Sequence, residues 1–95
     1  MDINETLKER GARYGAFTDH ARIVQRLKQV IAEELKRLDK YIEADQQEAL
    51  DMIFHKIGRI IAGDPDYDDS WRDIAGYATL VEKRLGETKP VTCAR

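Results

Sequence analysis

Residues 1–64 contain no proline, and the only two prolines are Pro65 and Pro90. The chain has a single serine, Ser70, and a single asparagine, Asn4. A sequence this poor in turn formers is driven toward long helices joined by few connections. The apolar spacing agrees. Ile23, Val24, Leu27, Val30, Ile31, Leu35 and Leu38 recur with a helical period, and so do Leu50, Ile53, Phe54, Ile57, Ile60 and Ile61. Ninety-five residues make one domain. The sequence therefore predicts an all-α fold, an antiparallel helical hairpin or small bundle of about four helices. This single helical domain covers residues 1–86, and a flexible C-terminal tail follows over 87–95.

Local signals place the boundaries. A short first helix runs from an N-cap at Asn4 to Arg10 and stops at Gly11. Residues 12–16 read as a connector in which Gly15 is free to take positive φ. Thr18 is a suitable N-cap for a second helix reaching Leu38, and His20 and Glu34 fall inside its apolar stripe. Residues 39–43 fit either a break or a continuation. A third helix spans Asp45 to Ala62 and is closed by Gly63. After the loop 63–68, Asp68 or Asp69 caps a fourth helix that ends near Leu85, before Gly86. Its core face carries Trp71, Ile74, Ala78, Val81 and Leu85, while Asp69, Asp73, Gly76 and Leu80 project the other way.

Composition narrows the function classes. Charged residues make up 36% of the chain, above the roughly 25% of an average domain. Such a chain has thin elements, or it completes its core against another copy, so a homo-oligomer is expected. Eighteen acids and sixteen bases leave a net charge of −2, which attracts neither nucleic acid nor a membrane surface. The cations of the second helix, Arg22, Arg26, Lys28, Lys36, Arg37 and Lys40, have no aromatics between them and read as a solvated face. No apolar run approaches the roughly 18 residues of a membrane helix. The N-terminal stretch has acids where a secretory leader would be basic and then apolar. The lone Cys93 has no partner for a disulfide, which favours a cytoplasmic setting.

The densest chemistry lies around Pro65. Asp64, Asp66 and Asp68 have the spacing that opens a calcium-binding EF-hand loop, but the pattern then fails, with Asp69 in place of its glycine and Ala75 in place of its glutamate. Lys56 and Arg59 lie on one helix, and Asp69 and Asp73 on the next. A short loop makes these helices antiparallel, so two cations and two acids meet near one end. That cluster is either a polar pocket, with cations for phosphate and acids for a divalent ion, or an interhelical salt-bridge cluster that fixes register. Glu34 needs a partner on its apolar stripe: Lys56 or Arg59 would supply one, or Glu34 would ligate a metal. Asp69, Asp73 and Glu48 are the candidate ligands for magnesium, but Lys56 and Arg59 beside them lower the affinity for a dication, so no tight magnesium binding is expected. His20 reads as a boundary histidine and His55 as solvated. Gly58 and Gly76, in mid-helix, mark close packing or room for a ligand. No phosphate-binding glycine loop, nucleophile elbow or zinc motif is present.

Three segments carry a resemblance. Glu9-Arg10-Gly11-Ala12-Arg13-Tyr14-Gly15-Ala16-Phe17, then Lys56-Ile57-Gly58-Arg59, then Asp69-Ser70-Trp71-Arg72-Asp73-Ile74-Ala75-Gly76-Tyr77 resemble a family of small phage and prophage proteins, itself a domain of unknown function. The match covers about residues 8–82 and implies a phage or prophage setting in the host cytoplasm. More distantly, a helix with K-x-x-R followed by one opening D-x-x-x-D is similar to the helical hairpin of the all-α nucleoside triphosphate pyrophosphatases. That likeness implies magnesium held against a triphosphate by E-x-x-E and E-x-x-D. Asp73 stands at the final Asp of that pattern, and Asp69 lies one residue off the preceding Glu, whose place Ser70 takes. Lys56 and Arg59 stand where the first two Glu would be, a reversal of charge that Glu34, Glu48 and Asp51 offset only in part. The expectation is a phage or prophage accessory protein with no assigned activity, structural or binding a phosphorylated small molecule. A magnesium-dependent pyrophosphatase-like hydrolase and a module acting on a host protein are the alternatives.

Overall fold

A computed structural model of the chain describes residues 2–88. Four helices follow one another among them: α1 (Ile3–Tyr14), α2 (Phe17–Arg37), α3 (Ala44–Ala62) and α4 (Asp68–Thr88). No strand occurs among the described residues, so the fold is all-α.

The helix ends have local causes. Asp2, rather than Asn4, caps α1, its side chain accepting from the Glu5 N–H at 2.9 Å. The helix does not stop at Gly11, because a single glycine costs a helix interior only about 1 kcal/mol. It stops at Gly15, whose φ of 78° is the left-handed region. Helix α2 starts at Phe17, one residue before Thr18, with Ala16 as N-cap and no side-chain cap bond. It ends in a Schellman arrangement. Asp39 takes φ 49°, its N–H donates to Lys36 O, and the Lys40 N–H donates to Leu35 O. Residues 39–43 are thus a break. Glu43 and Gln46 open α3 with a reciprocal capping box, and the Gly63 N–H closes it on Arg59 O at 2.9 Å. Helix α4 passes the expected stop at Gly86 and reaches Thr88. Of the expected tail, residues 89–95, with Pro90 and Cys93, lie outside the described residues.

Helix α3 is the middle of the molecule. It packs against α2 on one side and α4 on the other, and α2 and α4 do not touch. Two ion pairs fix the α3/α4 register, Asp45 with Arg84 and Lys56 with Asp73. The second pair lies eleven residues along α3 and eleven back along α4, as antiparallel helices require. Helix α1 lies across α2 and α3 where α3 ends. The buried apolar side chains are Val24, Ala49, Phe54 and Ile60, and no described side chain is wholly enclosed. Trp71, expected in the core, is 55% exposed, because its indole N–H reaches back to the Pro65 carbonyl at 2.8 Å. The body is elongated, 54 × 29 × 22 Å. No helix among the described residues is long and apolar enough to cross a membrane.

Candidate functional site

The cluster expected between α3 and α4 divides in two. Lys56 is buried and its Nζ lies 3.0 Å from Asp73 Oδ2, across the α3/α4 seam. An ammonium taken from water needs such a partner, so this bond belongs to the packing of the two helices. Asp69 turns to its own helix, bonding Arg72 at 2.9 Å and accepting from the Tyr67 hydroxyl at 2.9 Å. That second bond pushes the Tyr67 phenol up. Glu34 meets neither Lys56 nor Arg59. It is exposed near the end of α2, where a two-bond contact with Arg37 at 2.8 and 2.9 Å holds its carboxyl below the usual range. Glu48 is exposed on α3, eight residues before Lys56 and so roughly 12 Å along the axis from it. Among the described residues no three His, Cys, Asp or Glu side chains gather closely enough to hold a metal ion.

Arg59 points elsewhere. Its guanidinium lies over the Tyr14 ring at 4.2 Å from the centroid, and Tyr14 meets Tyr67 edge-on at 6.1 Å. This cation–π contact holds the guanidinium at the Tyr14 ring without an acid partner, so its charge is not neutralised. The junction beneath is tight. The Asp64 N–H donates to Arg13 O at 2.8 Å, and a Cβ on Gly15 would collide with the Ala62 carbonyl. Backbone thus touches backbone where α1 and α2 join and α3 ends, which fixes α1 over α3.

The result is a cleft of about 510 Å³ between α1, α2 and α3. Leu7, Arg10 and Tyr14 line it from one face of α1, Phe17 and His20 from the start of α2, and His55 and Arg59 from α3. No acid lines it. The ion pairs of the described residues involve neither Arg10 nor Arg59. Phe17 is 77% exposed, a large aromatic face left open to solvent.

His20 and His55 form the floor, their ring centroids 4.4 Å apart. Gly58 makes room for the pair, since a Cβ there would stand 2.6 Å from His20 Cδ2. Burial lowers the pKa of His20, and Arg59 and Lys56 lower it further. Burial, then Arg59, His20, Lys56 and Lys28, lowers that of His55 to about 4. Both imidazoles are neutral at pH 7, so the positive charge of the cleft comes from the two guanidinium groups.

Of the candidate site residues named from the sequence, Arg59 alone reaches this cleft, beside His20, which reads there as a boundary histidine, and His55, which reads there as solvated and is half-buried instead. Sequence reasoning misses Arg10, Tyr14, Phe17 and His55 as site residues. Arg10 and Tyr14 share a face at i, i+4, a signal hidden by ending the helix at Gly11. Gly58 in mid-helix, opposite a histidine, is the other trace.

A family model described as a domain of unknown function (DUF6378) matches residues 3–85. The chain belongs to that family. No curated protein and no solved structure matches it.

Proposed function

We propose that this DUF6378 protein is a helical binding module for a phosphorylated, ring-bearing small molecule, a nucleotide in the simplest case, held between α1, α2 and α3. The observation that carries the reading is the pairing, in one acid-free cleft, of two arginines outside any ion pair with the open aromatic face of Phe17. Its volume lies in the range of small-molecule sites. Arginine binds phosphate oxygens two at a time, so Arg10 and Arg59 supply the anion end. Phe17 offers a face on which a base stacks.

A pyrophosphatase-like hydrolase asks for carboxylates beside the phosphates, and the acids of the hairpin are engaged with Lys56 and Arg72 away from this cleft. The hydrolase reading therefore rests on the motif likeness alone, and binding is preferred. The phage or prophage setting, the cytoplasmic location and self-association belong to the same proposal, drawn from the motifs and the open architecture.

Isothermal titration with ATP, AMP and inorganic phosphate tests it. The nucleotides should bind saturably and inorganic phosphate more weakly, and Arg59→Gln or Phe17→Ala should weaken nucleotide binding by about tenfold or more. Absence of binding at millimolar nucleotide, or unchanged affinity in Arg59→Gln, would overturn it.

A further inference from the structure

The face of the molecule opposite the cleft is apolar across three helices. Along α3 each residue advances about 100°, so Leu50, Ile57 and Ile61 lie on one side, and His55 and Arg59 on the other. The side of Leu50 continues onto α4, where Val81 shares a groove with it. It continues onto α2 at Ile23, Leu27 and Val30, which line a further shallow depression with Arg26 at its rim. Val30 is 54% and Ile61 66% exposed. Between Gln46 and Ile61 no charged residue falls on this stripe of α3.

A layer of helices with one apolar face buries that face against a second layer, and this chain has only one such layer, because α2 and α4 flank α3 without meeting. The chain exposes 7381 Å², more than the about 5,600 Å² of a compact 11.0 kDa monomer, as an elongated, open body does.

We infer that two copies stack through this face about a two-fold axis, giving a two-layer dimer with both clefts facing outward. A second copy is the occupant the observations favour, since the charge-free stripe of α3 meets itself across a two-fold axis without burying a charge, and Arg26, at the α2 rim, is exposed and keeps its guanidinium in water. This surface differs from the Gly76 and Leu80 side of α4, which the sequence pattern marks. That side lines a depression with Asp73, which bonds Lys56 on the polar side of α3. Stacking through the apolar face does not depend on what the cleft holds.

Light scattering after size exclusion at micromolar concentration tests it, with helical circular dichroism as the check on folding. The wild-type protein should run at twice 11.0 kDa. Ile61→Glu and Val30→Glu should run as folded monomers, because both positions are exposed enough in one copy to solvate a carboxylate. Leu80→Glu, 65% exposed on the other side of α4, should stay a dimer. A wild-type monomer, a dimer that survives both Ile61→Glu and Val30→Glu, or one lost only in Leu80→Glu would each overturn the inference. So would a wild-type monomer that is captured by a different protein. If Ile61→Glu unfolds, the wild-type mass and Val30→Glu decide.

Discussion

His20 and His55 are the only histidines in the chain, and they touch each other. Burial first, and then the nearby Arg59 and Lys56, disfavour a charge on either ring, so the pKa values of both lie below the ordinary histidine value. The consequence for stability has a definite sign. Unfolding frees each ring to take a proton near pH 6.5. Between that pH and about 4, the value His55 has in the fold, the unfolded chain binds more protons than the folded one. The histidine contribution is therefore complete above pH 6.5 and is lost as the pH falls through that window. The Asp45 carboxyl, which its bonds to Arg84 hold below the usual range, acts in a lower window, beneath about pH 4. Urea unfolding at pH 7, 5.5 and 4.5 should show stability falling steadily, and His55→Gln should flatten that slope. An unaltered slope in His55→Gln would contradict this account of the pair.

At the scale of the helices, Gly58 and Gly76 look alike in sequence and differ in what surrounds them. A Cβ at Gly58 would stand 2.6 Å from His20 Cδ2 and 2.7 Å from Val24 Cγ2, so α2 and α3 approach each other through that glycine. A Cβ at Gly76 would meet nothing within 4 Å. Gly58→Ala should cost about 1–3 kcal/mol in denaturant unfolding, overpacking outweighing the gain in helix propensity. Gly76→Ala should stabilise by about 0.5–1 kcal/mol, since only the propensity changes. Equal effects at the two sites would refute the close approach of α2 and α3. The same contrast explains which helix boundaries the sequence revealed. Helix α3 was legible because its apolar stripe runs unbroken to a glycine that does end it. Helix α1 was cut short because Gly11 reads as a stop, although an exposed glycine merely weakens a helix. The true stop, Gly15, is set by the Ala62 carbonyl pressing on it, a contact between segments far apart in sequence.

On the scale of the whole molecule, the layer has two unlike faces. One carries the cleft with Arg10, Arg59 and the histidines, and the other the apolar stripe through Leu50 and Ile61. The pairing of Lys56 with Asp73 was legible, because a short loop forces α3 and α4 to run antiparallel and so aligns them. The cleft was not, because it needs α1 folded back over α3, and nothing in the spacing of residues 4–14 shows where that helix lies. Glu34 misled for a related reason. Its place on the apolar stripe suggested burial, but the end of α2 is exposed and Arg37 satisfies the carboxylate locally. The most direct test of the central claim uses the fact that both histidines of the chain lie in the cleft. Nuclear magnetic resonance of the two imidazoles, followed while ATP is added, reports on that site and nothing else. Both rings should shift saturably, and the apparent pKa of His55 should rise from about 4, because a bound anion favours the protonated ring. Histidine signals and a His55 pKa that stay unchanged at millimolar ATP would contradict it.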